Sequence, residues 1–117
     1  MKLYEIEFYE TQAGKEPVKD FIDSLDKKMQ AKVLRTIDLL ETNGPELRLP
    51  YSGPLGDGIF ELRTKQGNNI TRVLYFFYVG RKIILTNGCI KKSQKTPPGV
   101  IELAKKYRTD YMRRHQI

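Results

Sequence analysis

Three charged side chains lie in two neighbouring strand-like segments of the chain. Glu61 and Arg63 are two residues apart in one segment, and Arg72 lies in the next. Residues two apart on a strand share a face, so Arg72 can join the other two if the segments pair. An arginine fork donates two parallel hydrogen bonds to a phosphate and keeps its charge, while a carboxylate can accept a proton. The pattern predicts a phosphate site with arginines at the surface; the alternative is a surface ion-pair set, since such pairs are common and weak.

A basic segment follows the third strand-like segment. It contains Lys91, Lys92 and Lys95, and it leads into a helix that Thr96 is expected to cap. Free amides at a helix N-terminus attract anions, which favours a phosphate here too. A lysine can act as a base or acid only if neighbouring cations and burial lower its pKa from about 10.4. The three lysines are therefore candidate catalytic residues, and the alternative is a solvated basic loop.

The last helix combines aromatic and basic side chains. Tyr107 and Tyr111 fall at helical spacing, a pattern more typical of core packing than of catalysis, although their hydroxyls could reach the sheet edge or their rings could stack on bases. Tyr111 is kept as a candidate catalytic residue. Tyr107, Arg108, Lys65 and Lys82 are candidate RNA-binding residues because aromatic and cationic groups bind bases and phosphates.

Charge is segregated along the chain. Residues 1–57 contain eight Lys/Arg and eleven Asp/Glu, a net charge of −3, whereas residues 58–117 contain thirteen and three, a net charge of +10. A polarised basic half that is also rich in strands predicts a positive surface on a rigid scaffold. The partner such a surface favours is a polyanion, most often nucleic acid.

Several other chemistries are disfavoured. The only histidine is His115, so a two-histidine ribonuclease mechanism is impossible within one chain. The basic half has three well-separated acids, which argues against a metal site. Cys89 is the single cysteine, so no intramolecular disulfide forms, and no glycine-rich phosphate motif occurs. We expect no metal and no cofactor. With no apolar run of ~18 residues and no signal peptide, we expect no membrane association and a cytoplasmic location.

Hydrophobic periodicity predicts a single domain over residues 1–117, of class α+β, with the order β-α-α-β-β-β-α. The sheet is expected to be twisted, mostly antiparallel and about four-stranded, with an N-terminal helical hairpin on one face and a C-terminal helix. The predicted elements are a strand over residues 3–9, a helix from Pro17, a helix capped by Asp26 and ended by Asn43-Gly44-Pro45, strands over 59–65, 70–79 and 82–89, and a helix opening with Pro97-Pro98. Residues 46–58 are expected to be a loop. Residues 73–77 are apolar on both faces, which predicts the central strand. The expected core residues are Phe21, Val33, Ile37, Phe60, Leu62, Val73, Tyr75, Phe77 and Leu85.

Three segments carry a resemblance to a known family. They are LGDGIFELR at 55–63, RVLYFF at 72–77 and KKSQKTP at 91–97. Together with the order of strands and helices, they resemble the RelE/ParE toxin superfamily, and within it the phage-derived HigB-like toxins of type II toxin–antitoxin systems. The first and third segments are fairly specific, whereas the helices alone are not.

The resemblance implies a RelE-like fold and a metal-independent endoribonuclease, an mRNA interferase that cleaves mRNA in the ribosomal A site. It implies a cognate antitoxin with an Xre-type helix-turn-helix, similar to HigA. The positions that match RelE-like active sites are Glu61, Arg63, Arg72, the lysine segment 91–95 and, with less support, Tyr107 or Tyr111. Some HigB toxins use histidine and aspartate near the C-terminus; this chain has Asp110-Tyr111 without an adjacent histidine, and so departs from that version.

The expected reaction is attack of the ribose 2′-hydroxyl on the adjacent phosphate with expulsion of the 5′-oxygen. Glu61 is one candidate base, a lysine is another, and the sequence leaves the choice open. Two other functions remain as alternatives. One is a ParE-like toxin that binds a topoisomerase without cutting RNA, and the other is a non-catalytic RNA- or ribosome-binding domain.

Overall fold

The computed structural model describes residues 2–91 and 95–115. The elements are β1 (Glu5–Phe8), α1 (Pro17–Asp23), α2 (Lys27–Asn43), a 3-10 turn (Gly44–Glu46), β2 (Ser52–Gly56), β3 (Ile59–Gln66), β4 (Asn69–Tyr78), β5 (Lys82–Lys91) and α3 (Pro98–Arg114). The predicted α+β class and the predicted order of helices and strands are confirmed, with one additional strand.

The sheet has five strands in the order β1-β5-β4-β3-β2, so β4 is central, as its two-sided apolar pattern predicts. β1 pairs with β5 in parallel, and every other pairing is antiparallel. The additional strand is β2, which lies within the segment expected to be a loop. Its glycines and prolines are not typical of a strand, so the sequence did not predict it. Pro54 is tolerated because β2 lies at the sheet edge, where a missing N–H costs little.

The two faces of the sheet carry separate cores. The first core joins the sheet to α1 and α2, and it includes all nine residues expected there, with Phe21, Phe60 and Phe77 partly buried against it. The second core lies under α3 and includes Ile59, Leu74 and Phe76. Because Phe60 and Leu62 face α1 and α2, alternation along β3 turns Glu61 and Arg63 to the α3 side.

The helix ends show one correct prediction and one wrong prediction. Asp26 caps α2, since its carboxylate accepts a hydrogen bond of 2.8 Å from the Met29 N–H. Thr96 does not cap α3, because Pro97 occupies the N-cap position and makes no side-chain cap. The Thr96 hydroxyl instead donates to Glu61. Bonds to a charged acceptor are stronger than neutral ones, which accounts for the preference.

Candidate functional site

Strand register brings the predicted charged residues together. Arg63 on β3 lies directly opposite Arg72 on β4, and Arg72 lies opposite Cys89 on β5. Glu61 is two residues before Arg63, so all four side chains project from the same face of the sheet. Helix α3 covers the other end of this same face of the sheet. The charged cluster lies past the N-terminal turn of α3.

Glu61 is the centre of a buried polar triad. Its Oε1 lies 3.1 Å from Arg72 Nε and accepts a 2.5 Å hydrogen bond from the Thr96 hydroxyl. The Arg72 side chain is 0% exposed and that of Glu61 is 10% exposed. The expectation that Arg72 is a surface residue is therefore wrong. The sequence could not reveal the burial of Arg72, because arginine at a strand position is usually solvated.

The second arginine is closer to solvent. Arg63 is half-buried, and its Nε is buried without a hydrogen-bond partner among the described residues. Lys91 at the end of β5, Lys95 before α3 and Lys65 at the end of β3 are exposed. Lys92, the remaining candidate of the basic segment, lies outside the described residues. The triad is thus bordered by cations that a polyanion can reach.

Cys89 lies beside the arginines and is half-buried. Burial raises the pKa of its thiol, and the positive charges of Arg72 and Lys91 offset only part of that increase. A thiol with a raised pKa is a poor nucleophile near neutral pH. Cys89 therefore contributes packing rather than covalent chemistry.

Two predicted site residues lie away from the triad. Tyr111 is 1% exposed and packs edge-on against Phe76 and Tyr78, toward the other end of β4, and burial raises the pKa of its hydroxyl. Lys82 begins β5 and lies 3.6 Å from Glu7. At about 3.3 Å per residue, β5 separates Lys82 from Lys91 by about 30 Å.

Two further candidates serve the fold of α3. Tyr107 stacks on Tyr9 with ring centroids 4.5 Å apart, and Arg108 donates to Asp57 in the turn between β2 and β3 through its Nη2, at 3.0 Å. These contacts fix α3 to β1 and to the β2–β3 turn. The structure does not bring Tyr107 or Arg108 to the Glu61 triad.

Asp110 is a residue whose role the sequence did not reveal. Its carboxylate accepts a 2.6 Å hydrogen bond from the Tyr9 hydroxyl and forms ion pairs with Arg113 and Arg114. The Tyr9 hydrogen bond, followed by the arginines, holds the pKa of Asp110 well below its usual range. Burial, followed by the Asp110 hydrogen bond, raises the pKa of Tyr9 to about 12. The sequence did contain one signal of these ion pairs, because Arg113 and Arg114 follow Asp110 by three and four residues on the same helix.

The residues described offer little for other chemistries. In ranges 2–91 and 95–115, no three His, Cys, Asp or Glu side chains cluster closely enough to hold a metal ion. Within the same ranges, no helix combines the length and apolar character that a membrane span needs.

A family comparison bears on this geometry. The model of a family described as phage-derived protein Gp49-like matches residues 20–109. The chain belongs to that family. Gp49-like proteins are toxin-like and related to the RelE and HigB type. The match spans α2 to β5 and most of α3, so it includes Glu61, Arg63, Arg72 and Thr96. No curated protein matches this Gp49-like chain.

Proposed function

We propose that this Gp49-like protein is the toxin of a type II toxin–antitoxin pair and that it cleaves RNA without a metal. The toxin-like character of the family supports the first part. The second part rests on the Glu61 triad, because it places one carboxylate among cations on a rigid sheet.

One observation carries this proposal: Glu61 and Arg72 are an ion pair that is buried in the sheet rather than solvated, with side chains 10% and 0% exposed. Thr96 and Arg72 both lie against Glu61 Oε1. Removing an ion pair from water costs several kcal/mol per ion, and apolar residues of similar volume are often as stabilising. A buried pair of this kind is therefore better explained by chemistry than by stability.

The proposed reaction begins at the 2′-hydroxyl of a ribose. The Glu61 carboxylate accepts the hydroxyl proton, the 2′-oxygen forms a bond to the adjacent phosphorus, and the bond from phosphorus to the 5′-oxygen breaks. Arg63, Lys91 and Lys95 stabilise the negative charge of the phosphorane. A protonated lysine of this group supplies the proton that the leaving 5′-oxygen needs, and the products are a 2′,3′-cyclic phosphate and a 5′-hydroxyl.

Arg72 has a positioning role in this mechanism. Because it is fully buried, it acts on the substrate through Glu61, whose carboxylate it holds in one orientation. The Thr96 hydroxyl fixes the same oxygen from the α3 side. Arg63, which is half-buried and lies next to Arg72, is the arginine that contacts the phosphate.

The biological substrate in this proposal is mRNA in the ribosomal A site, with the ribosome aligning the scissile phosphate. Alignment of this kind can supply much of a rate enhancement, so activity on free RNA is expected to be weak. The inhibitor is an Xre-type helix-turn-helix antitoxin.

Induction in bacterial cells, followed by mapping of transcript ends and DNA integrity, tests the proposal. The wild type should produce new cuts within translated frames, and Glu61→Gln and Arg63→Ala should abolish them. Lys106→Ala is the matched control, since it removes an exposed cation of α3 distant from the triad, and it should cut normally. DNA breaks without RNA cuts, or undiminished cutting by Glu61→Gln, would overturn the proposal.

A further inference from the structure

A second group of cations lies along the outer edge of β3. Two adjoining cavities of about 330 and 220 Å³ share Pro50, Arg63 and Lys65 in their walls. The larger cavity also has Lys32 and Arg35 of α2 in its walls. We call this continuous surface the α2–β3 groove, defined by Lys32, Arg35, Pro50, Tyr51, Arg63 and Lys65.

The groove follows from where strand pairing stops. The Arg63 N–H donates to the Tyr51 carbonyl at 2.7 Å, just before β2 begins at Ser52. Beyond this bond, β2 no longer covers the edge of β3. α2 crosses above that edge, where the Thr64 hydroxyl donates to the Thr36 hydroxyl at 3.1 Å. A channel therefore remains between the helix and the uncovered edge.

The charges in the groove are not neutralised by any residue that the structure describes. Lys32, Arg35, Arg63 and Lys65 form no ion pair with any residue in ranges 2–91 and 95–115, and neither cavity has an acidic side chain in its walls. On α3 the situation is the reverse. The cations there that pair with Asp57, Glu102 or Asp110 are Lys105, Arg108, Arg113 and Arg114. The groove therefore attracts anions more strongly than α3 does, although α3 is rich in lysine and arginine.

Arg63 connects the groove to the Glu61 triad. Its buried Nε–H has no acceptor among the described residues, and leaving a buried donor unpaired is unfavourable. A phosphate oxygen in the groove would satisfy it. The same side chain lies opposite Arg72, so a chain of phosphates that reaches Arg63 from the groove arrives at the triad.

We propose that the α2–β3 groove binds the backbone of single-stranded RNA next to the phosphodiester held at the Glu61 triad. This inference rests on the proposed function and adds the subsite that gives affinity. RNA fits better than an acidic polypeptide because its charge recurs along the backbone, one per nucleotide, to match successive cations. Tyr51 is 44% exposed in the groove and presents a ring on which a base can stack.

Binding measurements with an uncleavable ligand test this assignment. The probe is a fluorescein-labelled single-stranded RNA with 2′-O-methyl riboses, which lack the attacking hydroxyl, and the readout is anisotropy over a salt series. Lys32→Ala/Arg35→Ala should weaken binding at least about tenfold. Loss of two phosphate contacts should reduce the log–log salt slope by about 1.4, at about 0.7 per contact for single strands.

The matched control is Lys27→Ala/Lys28→Ala, which removes the same charge from exposed positions of the same helix outside the groove. It should weaken binding by less than about threefold and leave the slope unchanged. Both variants should unfold within about 2 °C of the wild type, since none of the four side chains is buried.

Three results would overturn the inference. They are equal losses in the two double variants, no loss in either, or a Glu-rich peptide that depends on Lys32 and Arg35 when RNA does not. Because the probe cannot be cleaved, these results do not depend on catalysis. Groove-dependent RNA binding together with an absence of RNA cuts in cells would contradict the proposed function alone.

Discussion

Replacement of Arg72 by alanine should strongly destabilise the protein. The guanidinium is fully buried and lies 3.1 Å from Glu61, whose side chain is only 10% exposed. Arg72→Ala leaves that carboxylate buried beside a cavity and without its cation. Breaking a buried pair in this way costs about 3–5 kcal/mol, a large part of the 5–15 kcal/mol that typically stabilises a domain. Thermal unfolding of a chain of this size should shift down by roughly 10–20 °C.

Urea and thermal unfolding of purified variants measure the effect. Arg63→Ala is the control, because it removes the same side chain from the position directly opposite, where the guanidinium is half-buried and has no ion pair with a described residue. It should cost less than about 1 kcal/mol. If Arg72→Ala were as stable as Arg63→Ala, the reasoning from burial would be wrong.

A double variant separates stability from chemistry. Glu61→Gln/Arg72→Met removes both charges and keeps most of the volume, so it should recover much of the stability lost in Arg72→Ala. It should nevertheless remain non-toxic, because it lacks the carboxylate. Recovery of stability without recovery of toxicity would assign the pair to the reaction, whereas recovery of both would exclude Glu61 as the base.

Two further predictions concern the scaffold. Asp110 has a lowered pKa in the folded protein, so its contribution to stability is present above the unfolded value of about 3.9 and is lost as pH falls below that value. Asp110→Asn should therefore lower the melting temperature at pH 7 and lower it less at pH 2.5. A difference in melting temperature between wild type and variant that stays constant with pH would contradict this. Gly44→Ala should destabilise the protein by about 3 kcal/mol in urea unfolding, because φ at Gly44 is +54° and the new Cβ would overlap the Tyr4 ring. Gly67→Ala is the control: φ there is +59° but the space around it is open, so the variant should cost only the backbone strain of about 1 kcal/mol.

Most of the fold could be predicted from the sequence because its signals are local. Hydrophobic periodicity and the two-sided apolar run at residues 73–77 predicted β3, β4 and β5, and Asp26 and Gly44 predicted the ends of α2. β2 could not be predicted in this way. Its residues have low strand propensity, and it exists because β3 offers an edge for it to pair with. Tertiary pairing decided that segment.

The site could be predicted in part. Residue types and period-two alternation placed Glu61, Arg63 and Arg72 on one face of adjacent strands. They could not show that Arg72 is buried, since burial depends on what covers the face. The position of Lys32 and Arg35 beside Arg63 was also hidden, because they belong to the acidic half of the chain and reach β3 only through the packing of α2.

The bond between Thr96 and Glu61 also sets the order in which the triad is completed while the chain is being made. The two residues are 35 positions apart, and Thr96 immediately precedes Pro97, the N-cap of α3. During translation, the emerging chain therefore displays β3 and β4 well before their carboxylate is held in place. A nascent chain that ends before Thr96 lacks the hydroxyl that contacts Glu61, so its triad stays incomplete.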